Sequence, residues 1–226
     1  MSVVIVSGGR LEKSALHFLK EKHIVIAVDG GLEFCYRNHI SVDYIVGDFD
    51  TIQPDILVHY QKEGKAQIEA YKPEKDMTDT KAALELAVEL VKNGDLPGKV
   101  ETIKNTQIIL LGGIGSRMDH TLANIGCIRY TLEHGISMKI IDENNCIYGY
   151  KDSFVIEEDE MIYHKYISLM ALGEDVKHLT IRGMKYEVED ITLPSLSDWG
   201  VSNELPKGKA EITFSEGMLL VIESRD

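Results

Sequence analysis

Cysteine is scarce in this chain of 226 residues, and the three that occur, Cys35, Cys127 and Cys146, are odd in number, far apart and set in apolar or helical surroundings. That argues against a disulfide framework or a zinc knuckle and leaves buried free thiols. Long apolar runs are missing as well. No segment approaches the roughly 20 residues needed to cross a bilayer, and the opening MSVVIVSGGR has no basic region ahead of its short apolar run. Neither a signal peptide nor a membrane partner is expected, and the location expected is cytoplasmic. Basic stretches interleaved with aromatics, the footprint of a nucleic-acid groove, do not occur, and the formal net charge is −13, so nucleic acid is not an expected partner. A negative field tolerates a cationic small molecule, or an anion that arrives with its own metal ion. The common nucleotide fingerprints are also lacking: GGIGSR does not have the G-x-G-x-x-G spacing, and G-x-x-x-x-G-K-[ST] is nowhere in the chain. This disfavours a dehydrogenase or a P-loop enzyme.

What is present is a soluble, globular composition, with 44% hydrophobic and 27% charged residues. From residue 1 to about 142, short β-branched runs (VVIV, IVIAV, YIVG, QIEA, QIILL, SMKIID) alternate with helical patterns, the longest of them spanning about Thr78 to Lys92. Continuous apolar strands separated by helices predict an α/β domain with a doubly wound parallel sheet. After about Asn145 the helical pattern stops, and DSFVIEE, KYISLMAL, VKHLTIRG, YEVEDITL, KAEITF and MLLVIES follow with turn residues between them. Evenly spaced strands without helices predict a smaller C-terminal antiparallel β-sandwich. The boundary falls within 143–150, around ENNCIYG, dividing the chain into 1–145 and 146–226. LPSLSDWGVSNELPKG is the longest polar, turn-rich stretch of the second part.

Ligands of open parallel sheets sit at the carboxyl ends of the strands. Here five successive strand ends carry glycine, aspartate or both: Ser7-Gly8-Gly9-Arg10, Asp29-Gly30-Gly31, Gly47-Asp48-Phe49-Asp50-Thr51, Lys75-Asp76-Met77-Thr78-Asp79, and Gly112-Gly113-Ile114-Gly115-Ser116-Arg117-Met118-Asp119-His120. Each has a purely structural alternative. Gly8-Gly9 serves as a tight turn; Asp76 with Asp79, or Asp119, serves as a helix cap; Arg117 pairs with one of the aspartates. Taken together they are harder to dismiss. Two carboxylates about 4 Å apart repel by about 4 kcal/mol at an effective dielectric of about 20, against a total folding stability of about 5–15 kcal/mol. A cluster of such acids calls for a cation. Short carboxylates offering only oxygen select a hard one, Mg²⁺ above all, which completes its shell with water and phosphate oxygens. Glycine turns at helix N-termini offer N–H groups to the same phosphates, and Arg117 a planar fork.

The ordered set DGG, GDFDT, KDMTDT and GGIGSRMDH, followed by a β-rich part with GMKY and GVSNE, resembles the thiamine pyrophosphokinase (thiamine diphosphokinase) family over essentially the whole chain. The resemblance implies an N-terminal Mg-ATP-binding catalytic domain, a C-terminal β-sandwich for thiamine binding and dimerisation, and a homodimer with its sites at the subunit interface. It implies transfer of the diphosphate of ATP to the thiamine hydroxyl, giving thiamine diphosphate and AMP. Asp48, Asp50, Asp79 and Asp119 look like the catalytic acids, the first three also as metal ligands. Asp29, Gly30, Gly47, Asp76, Thr78, Gly113, Arg117 and His120 look like contacts to the nucleotide. Lys75, Asn124, Tyr186, Ser202 and Asn203 look like contacts to the acceptor, with Tyr186 or Trp199 placed to stack on its rings; the alternative for Tyr186 is ordinary strand packing.

Two other functions fit parts of the pattern. A haloacid-dehalogenase-type phosphatase is suggested by DFDTI, although its acidic signature belongs after the first strand and here follows the third. A nucleotide-sensing module would hold metal without catalysis, but would not need five acidic or glycine-rich strand ends and an arginine.

Overall fold

The computed structural model describes residues 2–20, 23–50, 52–70, 77–94 and 106–226, and the chain divides into two compact units, Met1–Glu143 and Asn144–Asp226. Among the described residues of the first unit six strands, β1 (Ser2–Val6), β2 (Ile24–Val28), β3 (Tyr44–Gly47), β4 (Gln67–Ala70), β5 (Gln107–Leu111) and β6 (Ser137–Ile141), lie in the order β4-β3-β2-β1-β5-β6. Every neighbouring pair is parallel. Val3 to Val6 have no exposure and β2 is buried along its whole length, and helices pack against both strands. Each such Val or Ile contributes about 1.5–3 kcal/mol by leaving water.

Among the described residues four α-helices supply the cover: α1 (Gly30–Arg37), α2 (Pro54–Glu63), α3 (Asp79–Asn93) and α4 (Met118–Glu133). They pack in pairs, α1 with α2 and α3 with α4. The long apolar pattern of 78–92 becomes α3, which buries Ala82, Ala83, Ala87 and Val88 and so lies close to the sheet. Its N-cap is Thr78, whose hydroxyl accepts the Lys81 N–H at 3.2 Å. The capping expected of Asp76 lies outside the described residues. LEKSALHFLKEK yields only a seven-residue 3-10 helix, Lys13–Leu19, preceded by Glu12, which makes no side-chain cap. Among the described residues no helix is long and apolar enough to cross a membrane.

The second unit holds β7 (Asn145–Tyr150), β8 (Phe154–Glu157), β9 (Tyr166–Ala171), β10 (Val176–Arg182), β11 (Val188–Leu193), β12 (Lys209–Thr213) and β13 (Leu219–Ser224). They form two antiparallel groups, β7-β13-β9 and β11-β10-β12-β8. Leu169 of β9 lines the same cavity as Leu179 of β10 and Leu193 of β11, so the two sheets face one another. The first of these strands runs through ENNCIYG, which reads as a boundary because of its asparagines and glycine. Pairing with β13 from Asn145↔Ser224 to Tyr150↔Leu219 overrides that local signal.

Glu223 is fully buried on β13. Its carboxylate accepts the Tyr148 hydroxyl at 2.8 Å and the backbone N–H groups of Ile162 and Tyr163 at 2.7 and 2.9 Å, which ties the 158–163 segment to the sheet. Burial, then the Glu223 charge and hydrogen bond, push the Tyr148 phenol far above its ordinary range.

Cys35 and Cys146 are buried and Cys127 half-buried, all as free thiols. Burial pushes the Cys35 thiol up to about 12, so it carries almost no thiolate at pH 8. Under an excess of a disulfide reagent at that pH, Cys35 is expected to stay unmodified in the folded protein while urea-unfolded protein reacts fully. Labelling of Cys35 at the unfolded rate would contradict its burial.

Candidate functional site

The strand order reverses direction beside β1. The chain steps outward from β1 to β4, then returns to place β5 on the other side of β1. Ligand crevices of open parallel sheets lie at such a reversal, at the carboxyl edge of the strands. A cavity of about 400 Å³ lies there, within the size range of small-molecule sites.

Three backbone turns form its floor. Ser7, Gly8 and Gly9 follow β1, Asp29 and Gly30 follow β2, and Gly112 to Arg117 follow β5. The turns touch backbone to backbone: Gly9 donates its N–H to the Gly112 carbonyl at 3.0 Å, and Arg10 to that of Ile114 at 2.8 Å. A Cβ on Gly9 would sit 2.2 Å from the Gly112 oxygen and 2.7 Å from the Ile114 oxygen, so this approach is open only to glycine. Asn124 of α4, buried, donates to the Gly113 carbonyl at 2.7 Å. Thr121 accepts the Gly115 N–H at 3.3 Å and donates to the Arg117 carbonyl at 3.3 Å, fixing the entry into α4.

One wall is the first turn of α3, with Thr78, Asp79 and Thr80. The Thr80 and Ser7 hydroxyls are 2.8 Å apart and hydrogen-bonded, so α3 is fastened to the end of β1 next to Asp79. Arg117, Ser116 and His120 line the cavity as well. Arg117 forks onto Asp119, with nitrogen–oxygen distances of 2.6 and 3.3 Å. That hydrogen bond holds the Asp119 carboxyl below the usual range and raises the guanidinium further. Asp119 is therefore paired within α4 and is not its N-cap, a position that Arg117 occupies.

Of the expected residues, Asp29, Gly30, Thr78, Asp79, Gly113, Arg117, His120 and Asn124 line this cavity. Gly47 lies at its border: a Cβ there would fall 2.1 Å from Asp29 Oδ1, so the Asp29 carboxylate rests against the turn that carries Asp48 and Asp50. Asp48 accepts the Asp50 N–H at 3.2 Å, and Phe49 between them has φ of 63°. Asp29 has φ of 42°. Left-handed backbone at a non-glycine residue costs roughly 1–3 kcal/mol and collects at sites that hold ligands. Lys75 and Asp76 lie outside the described residues. Ser7, Gly9, Thr80 and Ser116 also line the cavity; all four stand in the strand-end motifs of the sequence, which give them no role of their own.

Among the described residues no three His, Cys, Asp or Glu side chains already meet as a cage for a metal. The donors at the strand ends are nevertheless chiefly oxygen, from Asp29, Asp48, Asp50, Asp79 and the hydroxyls around them. That chemistry fits a hard cation held by one or two carboxylates plus substrate phosphates, the usual manner for Mg²⁺.

The second unit has a cavity of its own, about 280 Å³, walled by Leu179, Ile181, Ile191 and Leu193 and rimmed by Tyr186, Trp199 and Asn203. Tyr186 is 59% and Trp199 71% exposed, high for rings beside an apolar hollow. Ser202, with φ of 59°, adjoins it and donates its N–H to the Ser168 hydroxyl at 3.0 Å.

Comparison with known proteins bears on the family and the fold. Residues 15–140 match the family model "Thiamin pyrophosphokinase, catalytic domain", and residues 153–219 match "Thiamin pyrophosphokinase, vitamin B1 binding domain". The chain is 31% identical to the thiamine pyrophosphokinase of Bacillus subtilis, with 100% of this chain and 99% of that protein covered. The crystal structure of thiamine pyrophosphokinase from Bacillus subtilis superposes with a TM-score of 0.84 at 28% identity over the full length of both chains. The yeast thiamin pyrophosphokinase structure, at 16% identity, shares the fold with a TM-score of 0.82 over 99% of this chain and 86% of that one. With both family models matched in chain order and a full-length relative above 30% identity, the chain belongs to the thiamin pyrophosphokinase family.

Proposed function

We propose that this protein is a thiamine diphosphokinase, a diphosphotransferase that moves the terminal diphosphate of ATP to the hydroxyl of thiamine and releases AMP. The observation that carries the reading is the first cavity, where glycine turns, the Asp29 and Asp79 carboxylates and Arg117 meet at the reversal of strand order. A polyphosphate fits such a place: backbone N–H groups and a guanidinium face its oxygens, and carboxylates face the cation it carries.

Mg²⁺, held by Asp48, Asp50 and Asp79, would neutralise charge on the transferring diphosphate. Arg117 exchanges its carboxylate partner for a phosphate oxygen, which frees Asp119. The thiamine oxygen forms a bond to the β-phosphorus while the bond from that phosphorus to the AMP oxygen breaks. The hydroxyl proton passes to a carboxylate of the cluster. Asp79, which lines the cavity, and Asp119, once released from Arg117, are the two candidate acceptors. Tyr186 and Trp199 offer ring faces to the cationic thiazolium and the pyrimidine. The working form is a homodimer, and the compartment is the cytoplasm, where free thiols such as Cys35 persist.

Incubation of purified protein with ATP, Mg²⁺ and thiamine is expected to give AMP and thiamine diphosphate in equal amounts, separated by chromatography. Release of inorganic phosphate from a generic phosphomonoester, or nucleotide binding without turnover, would replace the reading by one of its two competitors.

A further inference from the structure

Asn203 is 6% exposed, at the edge of the second cavity. Its carboxamide is almost fully occupied by backbone. Oδ1 accepts the N–H of Tyr186 at 3.0 Å and that of Glu204 at 2.9 Å, and Nδ2 donates to the Tyr186 carbonyl at 2.8 Å. A carboxamide has two acceptor and two donor positions, so three of the four are used. Two of the three bonds grip both backbone groups of one residue, as a neighbouring strand would. The Asn203 backbone is itself anchored, exchanging both its hydrogen bonds with Ile167 of β9 at 2.8 and 3.0 Å.

The stretch it holds needs holding. Tyr186 lies between β10 and β11, outside either strand, with its ring 59% exposed. Other ties to the same stretch include the Lys185 N–H to the Glu204 carbonyl, 2.9 Å, the Gly183 N–H to the Glu187 carboxylate, 2.7 Å, the Lys185 ammonium 5.4 Å from the centre of the Tyr186 ring, and the exposed Lys185–Glu204 ion pair, 2.7 Å. An exposed pair of that kind contributes little to position. The buried carboxamide is what sets where the Tyr186 ring stands relative to the cavity.

We infer that Asn203 is a positioning residue that acts on the acceptor substrate through Tyr186, its carboxamide presenting the ring as one wall for a flat cationic heteroaromatic. The inference rests on the thiamine reading above, since the ring being presented is taken to be the one thiamine meets. Asn203 sets affinity for thiamine and leaves the phosphoryl chemistry untouched.

Asn203→Asp tests this. The substitution keeps the shape and both accepted N–H bonds, but at neutral pH it faces the Tyr186 carbonyl with a bare oxygen. Protonating the new carboxyl restores a donor in the same place. The expected result is a rise of about tenfold in KM for thiamine at pH 8 with kcat within about twofold, the ratio of variant to parent KM shrinking toward unity as pH falls to about 5.5. The titrations that the flanking Lys185, Glu204 and Tyr186 have in the parent divide out of that ratio, and their coupling to the new carboxyl sets the pH at which the recovery is centred. Trp199, the single tryptophan of the chain, lines the same cavity, so its emission titrated with thiamine should shift by the same factor without turnover. Asn203→Ser, too short to span to Tyr186, should show the KM rise with no recovery at low pH. In a Tyr186→Ala background the Asn203→Asp effect should vanish. A fall in kcat at unchanged KM, a KM unchanged in both variants, or full additivity with Tyr186→Ala would overturn the inference. If the parent protein turns over no thiamine at all, the functional reading itself fails, and the inference with it.

Discussion

Asp79→Asn should lower kcat by about 10²–10³-fold, the loss typical when one preorganised electrostatic contact to a transferring group is removed. The reasoning is local. Asp79 opens α3 and lines the cavity, and the Ser7–Thr80 hydrogen bond fixes the same helical turn to the end of β1. Asparagine keeps the shape but removes the charge, and with it both an anionic ligand for a cation and a proton acceptor. Folding should change little, because a carboxylate in the first turn of a helix contributes about 0.3–1 kcal/mol through the helix dipole. Turnover of thiamine and ATP, measured beside the thermal midpoint, separates the two effects. Asp159→Asn, an exposed substitution in the second unit, serves as the control and should leave both unchanged. Turnover within twofold of the parent for Asp79→Asn would remove Asp79 from the site.

The largest effect on stability is expected for Glu223→Ala. It strands the Ile162 and Tyr163 N–H groups and the Tyr148 hydroxyl in a region already dry. Leaving buried donors unmet costs about 1–3 kcal/mol each, partly relieved by relaxation or entering water, so the sum is about 3–5 kcal/mol. At roughly 2–4 °C per kcal/mol for a chain of this size, the midpoint falls by about 10 °C. Glu223→Gln retains an acceptor and should lose less. Calorimetry or circular dichroism reads the shift, and a change below about 2 °C for the alanine variant would mean that the 158–163 segment is not held by this carboxylate.

How far these features could be read from residues alone varies with the distance over which each is encoded. The parallel sheet is written locally, in apolar runs such as IVIAV and QIILL whose burial on both faces leaves no alternation. So are the strand ends, since Asp29, Asp79 and Arg117 each follow a recognisable run. The strand through Asn145–Tyr150 is not, because what makes it a strand is a partner 69 to 79 residues later. The Ser7–Thr80 bond spans 73 residues and the Asn203–Tyr186 clamp 17, and no spacing rule reaches either. Arg117 poses a different difficulty. Its partner stands only two residues away, yet phosphate and carboxylate are equally good acceptors for a guanidinium, and sequence alone does not choose between them. The glycines divide likewise: Gly9 looks like a phosphate turn in the sequence, whereas its lack of a side chain is required by a neighbouring loop.

The contact between the Asp29 carboxylate and the backbone of Gly47 makes two separate points of the chain act as one design variable. Any side chain at 47 must displace the acid at 29, so a library that randomises position 47 alone will return almost nothing but glycine. Varying both together removes the clash but leaves the backbone demand, because Gly47 has a φ of 155°, which residues with a side chain rarely adopt. The pair thus sets a limit on how this pocket can be re-engineered for a different phosphate donor: its two acidic turns have to be rebuilt in a single move.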